Sequence, residues 1–296
     1  MSDTMVLGAE SAAPPRRGWS IRRLGQRPVF VASVVVIAAW LVIAIVAPVI
    51  APHDPLAQDG PLIEAPSATY PFGTDELGRD VLSRVLYGAR ISIPLGLLLV
   101  VMAAFVGVLA GGIAGYFGGW ADTLLMRTAD VMYSFPAIIL AMAVTASLGP
   151  GLANAVIALT IVSWPGFARV TRSLILSVRT SEYVQASRLM GAGGARVLAV
   201  DISPSVVGPV LVYALLDVAR AILWLSSLSF LGLAAQPPAA EWGAMISAAT
   251  QNFDAWWLAV FPGLSILSVV AALNIAGGEV RQLLDPKSQG AITRRR

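Results

Sequence analysis

The chain has 296 residues, of which 57% are hydrophobic and 12% charged, and its formal net charge is +3. Soluble domains carry roughly 25% charged residues, so we expect lipid rather than water to surround most of this chain. Cysteine is absent and His53 is the only histidine in the sequence, which excludes disulfides, thiolate metal sites and multi-histidine metal or haem sites.

The N-terminal segment predicts a tail followed by a membrane span. Residues 1–28 are polar and hold five arginines, whereas residues 29–51 carry no charge. As a helix, the second stretch would be about 34 Å long, enough to cross a hydrocarbon core of about 30 Å. Signal-peptide cores have about 7–15 apolar residues. We therefore interpret residues 29–51 as an uncleaved first transmembrane helix, with a cleaved signal peptide as the alternative.

Residues 52–90 are expected to form an extracytoplasmic loop. Thr74 is placed to cap a helix with Asp75 and Glu76 in its first turn, and apolar residues then recur on one side. This pattern predicts an interfacial helix that turns into the second span. The carboxylates of Asp75, Glu76 and Asp80 also fit general acid–base chemistry, whereas a capped helix needs no reaction.

Five further apolar stretches predict an all-α, polytopic membrane protein with six transmembrane helices. They lie at residues 91–117, 131–149, 152–168, 205–233 and 256–276. Gly149-Pro150-Gly151 is a helix stop and restart between the third and fourth spans. Residues 91–278 thus form a core of five spans, and residues 279–296 form a C-terminal tail.

The positions of arginine and lysine predict the orientation of these spans. The segments expected in the cytoplasm hold 16 basic residues, and the outer loop holds three. Those inner segments are residues 1–28, 118–130, 169–204 and 277–296. Both termini are therefore expected to be cytoplasmic.

The inner loop at residues 169–204 carries five arginines separated by apolar residues, which predicts short helices at the inner membrane surface. Tyr183, Ala186, Leu189 and Met190 form one apolar face, and the glycine-rich run that starts at Gly191 follows it. A short helix of this kind is suited to docking into a groove of another protein. An amphipathic segment lying on anionic lipid fits the same pattern.

Two charged residues fall inside the fifth predicted span. Asp217 and Arg220 are three residues apart and so share a helix face. Each would cost about 2.5–3.5 kcal/mol at the centre of an isolated span, so they should pair or face a polar interior. A structural ion pair and direct contact with a transported solute are the two interpretations.

The tryptophans and the lysine carry two further expectations. Trp242, Trp256 and Trp257 are expected to anchor the outer end of the sixth span at the membrane interface. A phosphate-binding loop of the G-x-x-x-x-G-K-[ST] type needs a lysine. Lys287 follows Asp285-Pro286 and is the only lysine in the sequence, so the chain has no such loop.

Several motifs carry a resemblance to a known family. Gln185-Ala186-Ser187 followed by Gly191 resembles the cytoplasmic E-A-A-x-x-x-G loop of bacterial binding-protein-dependent ABC importers. Over residues 20–286 the chain is similar to the second permease subunit of dipeptide, oligopeptide and nickel importers. The motifs that carry this similarity in order are FGTDELGRDVLSRVLYGARISI, GYFGGWADTLLMRTAD, the loop itself, LSFLGL, EWGAMI and LLDP.

The chain departs from the family pattern at a few positions. Gln185 stands where the family usually has glutamate, and Ser187 where it has a second alanine. Leu225 lies at a position that is often glutamate in relatives, so no role of that carboxylate is carried over.

The resemblance implies a type I ABC importer permease fold in a bacterial inner membrane. The implied partners are a second permease in a heterodimer, two cytosolic ATPase subunits or domains that hold ATP and Mg²⁺, an extracytoplasmic solute-binding protein and membrane lipid. No cofactor or metal on this chain, no catalysis by it and no nucleic acid are expected. Peptides, nickel complexes and haem are all compatible solutes. The residues implied to couple to the ATPase are Glu182, Tyr183, Gln185, Ala186, Ser187, Arg188, Met190 and Gly191.

Two other classes of function fit the sequence less well. An ion-coupled carrier would need ionisable groups in several spans, whereas Asp217 and Arg220 lie in one. An intramembrane enzyme would need a nucleophile with a base or a metal, and the sequence offers no cysteine and no histidine within a predicted span.

Overall fold

The computed structural model describes residues 27–284, so most of the predicted N-terminal tail and the chain beyond Leu284, with Lys287 and part of the LLDP motif, lie outside the described residues. Within this range the predicted all-α class is confirmed. The helices are α1 (Pro28–Ile50), α2 (Val81–Phe117), α3 (Gly119–Tyr133), α4 (Ala137–Leu148), α5 (Leu152–Val178), α6 (Glu182–Leu189), α7 (Gly194–Arg196), a π-helical turn (Val197–Ile202), α8 (Ser203–Phe230), α9 (Trp242–Ala249) and α10 (Trp257–Leu284).

Between residues 27 and 284, five helical segments are each long and apolar enough to cross a membrane, or six if α3 and α4 count as one span. α3 and α4 meet at an angle of 94°. The predicted third span at residues 131–149 is therefore broken: it begins in α3, bends at residues 134–136 and continues as α4, and residues 119–130, predicted as a cytoplasmic segment, belong to α3. Pro136 explains the break, because it has no backbone N–H and disfavours helical geometry at Phe135.

α2 runs without interruption for 37 residues. The side chain of Asp80 caps it by accepting the N–H of Ser83 at 2.9 Å. Thr74 lies buried in the preceding loop, where its hydroxyl oxygen accepts the N–H of Glu64 at 2.8 Å. The predicted interfacial helix that starts at Thr74 and turns into the second span is therefore wrong. The turn at Gly78, with a φ of 73°, delays helix formation until Asp80 can act as the cap.

Two other helices extend beyond their predicted ends. α5 continues to Val178 instead of ending at residue 168, and α10 continues to Leu284 instead of residue 276. The first part of the predicted inner loop is thus the end of α5. Arg169 and Arg172 stay helical because each pairs with a carboxylate of α3, so a drop in hydropathy did not mark the helix end.

The closest helix packing in the core joins α2 to α5. Gly107, Gly111 and Gly115 recur every four residues on the side of α2 that faces α5. A Cβ at Gly107 would lie 2.4 Å from the Cβ of Phe167, and one at Gly111 would lie 2.3 Å from the Ala168 carbonyl oxygen. These glycines let the two backbones approach closely, as small residues do in membrane helix pairs.

The predicted anchoring of Trp242 and Trp257 at the membrane interface is wrong. Trp242 is fully buried, and its indole Nε1 donates to the carbonyl of Val85 at 3.0 Å. Trp257 is also buried and donates to the carbonyl of Thr74 at 3.1 Å. Backbone carbonyls satisfy both indole N–H groups inside the protein, so neither ring needs the interface. Trp256 is 55% exposed, and its anchoring stays a prediction.

Candidate functional site

α6 presents an apolar face to its surroundings. Leu189 and Met190 are 89% and 82% exposed, and Tyr183 and Ala186 are exposed beside them. Val184, on the opposite side of the helix, is fully buried and holds α6 against the protein. The predicted docking face therefore points outward from the described part of the chain.

The C-terminal end of α2 supports α6 and the turn that follows it. The guanidinium of Arg188 lies over the ring of Tyr116 at 5.7 Å from the ring centroid. Gly194 lies against the hydroxyl of Tyr116, since a Cβ at Gly194 would be 2.6 Å from that oxygen. Gln185 donates its side-chain amide to the carbonyl of Thr180 at 2.8 Å, just before the helix starts. A displacement of α6 would therefore press directly on α2.

α6 ends in a Schellman motif at Gly191. The N–H of Ala192 donates to the carbonyl of Ser187 at 3.1 Å, and the N–H of Gly191 donates to that of Arg188 at 3.0 Å. Gly191 has a φ of 86°, which other residues adopt only at a cost. A Cβ at Gly191 would meet no atom within 4 Å, so the position requires a backbone conformation rather than space. The predicted end of the helix at Gly191 is confirmed, and its coupling role stays a prediction.

The remaining predicted coupling residues lie on the same helix. Glu182 is exposed in the first turn, where the helix dipole favours a carboxylate. Ser187 is half-buried and supplies the carbonyl of the C-terminal motif. The structure thus places all eight predicted coupling residues on α6 and its C-terminal turn.

Asp217 and Arg220 form an ion pair on α8. The Asp217 side chain is buried, whereas that of Arg220 is 40% exposed. The guanidinium of Arg220 also stacks over Trp224, 4.9 Å from the ring centroid. Asp217 Oδ2 is buried without a hydrogen-bond partner among the described residues. The pair is therefore asymmetric, with a hidden carboxylate and an accessible guanidinium.

A second cluster of the same composition joins α5 to α3. Arg169 donates to Asp130 at 2.6 Å and stacks over Tyr133 at 4.3 Å from the ring centroid. Both charged side chains are about half exposed. Sequence analysis missed this cluster because it placed Arg169 in a surface loop. The sequence did contain a signal for this cluster. Arg169 directly follows an apolar span, and Asp130 and Tyr133 lie three residues apart, where they share a helix face.

Two tyrosines connect the clusters across Gly166. A Cβ at Gly166 would lie 2.5 Å from the Tyr213 hydroxyl and 3.1 Å from the Tyr133 hydroxyl. Tyr133 also lies within electrostatic reach of both arginines and of Asp217. We call this set the polar face. It comprises Asp130, Tyr133, Arg169, Tyr213, Asp217 and Arg220.

The carboxylates of the outer loop hold structure together. Asp75 Oδ2 accepts the Nε–H of Arg79 at 2.7 Å and lies 3.5 Å from Nε of Arg84. Arg84 donates to the carbonyl of Pro55 at 3.1 Å, and all three charged side chains are buried. Asp80 caps α2. These contacts favour the structural interpretation of the loop carboxylates over general acid–base chemistry.

Glu241 joins α2, α8 and α9 within the core, which the sequence did not indicate. It is fully buried, and its Oε1 accepts the Ser92 hydroxyl at 3.0 Å. Its Oε2 accepts the N–H of Ala244 at 3.0 Å and so caps α9. Glutamate is an uncommon cap, which is why residues 241–249 carried no helix-start signal.

Two family models match the chain. The model described as the inner membrane component of binding-protein-dependent transport systems matches residues 107–289. The model described as the N-terminal transmembrane domain of oligopeptide transport permease C matches residues 19–66. The two matches together include α1, the last 11 residues of α2 and every helix from α3 to α10.

Individual relatives are similar over most of their length. A di/tripeptide transport system permease protein of Pseudomonas aeruginosa is 43% identical over 84% of each chain. A probable D,D-dipeptide transport system permease protein of Escherichia coli is 44% identical over 89% of each chain. A glutathione transport system permease protein of Pectobacterium atrosepticum is 40% identical over 93% of this chain and 91% of its own.

Proposed function

Because the chain belongs to the family of inner membrane components of binding-protein-dependent transport systems, we propose that it forms, with a second permease, the inward path for short peptides. The family match agrees with the predicted type I permease fold and with a role as a permease rather than an enzyme. Both termini are proposed to be cytoplasmic.

The names of the relatives support peptides as the solute class. Two of the three similar proteins are named for di- or tripeptides, and the third for glutathione, itself a small peptide. Short peptides share a free carboxylate, an amino group and peptide amides, whatever their side chains. We propose a di- or tripeptide-sized solute delivered by an extracytoplasmic binding protein to the outer loops.

The exposed apolar face of α6 carries the proposed coupling to ATP hydrolysis. Leu189 and Met190 project from a helix that Val184 fixes to the protein, and Gly191 ends that helix sharply. Burying such an apolar face in a groove lowers the free energy relative to leaving it exposed to water. We propose that it docks into one of two cytosolic ATPase subunits, which bind ATP and Mg²⁺, and that their closure moves α6 against α2.

Site-specific photo-crosslinking tests this docking. A benzoylphenylalanine at Leu189 has room, because that side chain is 89% exposed. In membranes that contain the assembled transporter, we expect light to give an adduct with an ATPase subunit. The matched control is the same probe at Ile45 in α1, which is 75% exposed but lies well inside a span. Ile45 should give no ATPase adduct.

The alternative position of α6 gives a different product. If α6 rests on anionic lipid, the probe at Leu189 should label lipid and leave the ATPase unlabelled. That result, in a complex shown by co-purification to contain the ATPase, would refute docking through α6.

A further inference from the structure

The polar face lies deep along the spanning helices. Arg220 is about 25 Å of helix rise from the start of α8 and about 15 Å from its end. Arg169 is likewise about 25 Å from the start of α5. Tyr133 ends α3 at the bend between the two halves of a broken span. Both arginines therefore lie more than two turns from either end of helices that are long and apolar enough to cross a membrane.

Lipid cannot be the neighbour of this face. Charged side chains in spans face a protein interior or a water-filled path, because hydrocarbon offers them no hydrogen bonds. The Arg169, Asp130 and Arg220 side chains are 40–51% exposed on this chain. They must therefore meet the second permease, water or a passing solute.

The two arginines have the same surroundings. Each is paired with one carboxylate and stacked on one aromatic ring: Arg169 with Asp130 and Tyr133, and Arg220 with Asp217 and Trp224. Ring stacking holds a guanidinium plane without using its N–H groups. A guanidinium has five N–H donors, and one carboxylate occupies at most two of them well. Both arginines thus keep donors available on their exposed side.

We propose that Arg220 and Arg169 are successive contacts for the carboxylates of a peptide on its way through the membrane, and that Arg220 sets a preference for anionic peptides. This inference rests on the proposed function. A peptide carboxylate would accept hydrogen bonds from the free edge of each guanidinium in turn. The hydroxyls of Tyr133 and Tyr213 both lie near Gly166 and can donate to the solute during the transfer.

The partner carboxylates keep these contacts weak. A transport path must bind its solute well enough to admit it and loosely enough to release it. Asp217 neutralises part of the Arg220 charge and repels an incoming carboxylate, so the anion is held only briefly. Removing the negative charge of Asp217 should therefore strengthen the hold on anionic peptides, whereas removing the positive charge of Arg220 should weaken it.

The experiment compares two isosteric peptides, Ala-Asp-Ala and Ala-Asn-Ala, with one binding protein throughout. Their uptake ratio is measured in proteoliposomes for the full complex, and the contribution of the binding protein cancels between variants. We expect Arg220→Gln to lower the Asp/Asn uptake ratio at least about fivefold. We expect Asp217→Asn to raise that ratio and slow turnover of the acidic peptide. Arg220→Lys should keep most of the wild-type ratio.

The control is Arg90→Gln, which removes an exposed arginine stacked on Tyr87 near the outer end of α2 and away from the polar face. It should leave the ratio unchanged. Since Arg220→Gln leaves Asp217 buried without a counter-charge and is expected to impair assembly, Asp217→Asn is the variant that decides. It keeps the side-chain shape and leaves Arg220 partly in solvent.

The outcomes separate the inference from the proposed function. Opposite shifts of the ratio in Asp217→Asn and Arg220→Gln support the carboxylate contact. An unchanged ratio in assembled Asp217→Asn overturns it and leaves the pair structural. Loss of assembly in Asp217→Asn also overturns it and places the pair in the subunit interface. If the wild-type complex takes up neither peptide, the proposed function itself fails.

Discussion

Gly191 and Gly193 lie two residues apart in the turn after α6, yet their backbones differ in sign: φ is 86° at Gly191 and −66° at Gly193. A Cβ at either position would meet no atom within 4 Å. The two positions therefore differ in the backbone conformation that they require and not in the space around them. Substitutions at Gly191 and Gly193 form a matched pair for testing the end of α6.

We predict that Gly191→Ala uncouples transport from ATP hydrolysis, whereas Gly193→Ala is silent. The left-handed backbone costs an alanine roughly 1–2 kcal/mol, which favours a different exit from α6 and a tilt of its apolar face. Peptide uptake should fall several-fold while membrane abundance stays normal. Gly191→Asn should be intermediate, because asparagine tolerates this conformation better. Equal uptake by both alanine variants would refute the role of the turn.

We predict that Ser187 faces the cytoplasm and Asp59 the outside, because the predicted cytoplasmic segments hold 15 basic residues besides Arg169, which lies in α5, and the predicted outer loop holds three. The native chain has no cysteine, so single cysteines at these positions can be labelled cleanly. In intact cells an impermeant maleimide should label Asp59→Cys, and Ser187→Cys only after permeabilisation. Labelling in the reverse order would invert the proposed orientation.

We predict that the purified chain hydrolyses no ATP by itself. The sequence has one lysine, Lys287, and it does not stand in a phosphate-binding loop. Hydrolysis should appear when the ATPase subunits are added and should rise further with loaded binding protein. The measurement is phosphate release in proteoliposomes. Peptide uptake that persists without ATP would instead favour an ion-coupled carrier.

We predict that Trp242→Ala destabilises the protein much more than Trp256→Ala. Trp242 is fully buried, packs edge-to-face on Trp40 with ring centroids 5.1 Å apart, and fills the space above Gly88. Its loss should cost about 3–5 kcal/mol, whereas the half-exposed Trp256 should cost about 0.5 kcal/mol or less. Thermal unfolding in detergent measures both. Similar unfolding temperatures would show that the outer region is not part of the core.

The sequence predicted the features that depend on hydropathy and local turn chemistry. The positions of α1 and α8, the stop at Gly149-Pro150-Gly151 and the end of α6 at Gly191 all follow from apolar length or glycine. The segment that we propose to couple to the ATPase was identified through its resemblance to a family loop, and its outward apolar face agrees with the spacing of Tyr183, Ala186 and Leu189.

Two of the failures share a physical cause, which is tertiary pairing of polar groups. Arg169 remains in α5 because Asp130 pairs with it, and hydropathy alone cannot reveal a partner on another helix. Trp242 is buried because the Val85 carbonyl accepts its N–H. The glycines at 107, 111 and 115 were a readable signal for close helix packing, and that spacing was overlooked.

The unbroken length of α2 has a mechanical consequence. At 37 residues it is about 55 Å long, well beyond a hydrocarbon core of about 30 Å. Its first turn is held by Asp80 in the outer loop, and Tyr116 at its far end touches the turn after α6. If α2, which contains Pro94 in its interior, turned as one body by about 10° about its centre, its two ends would move by about 5 Å in opposite directions. The proposed capture of a solute outside and the proposed closure of an ATPase inside would then act on the two ends of the same helix.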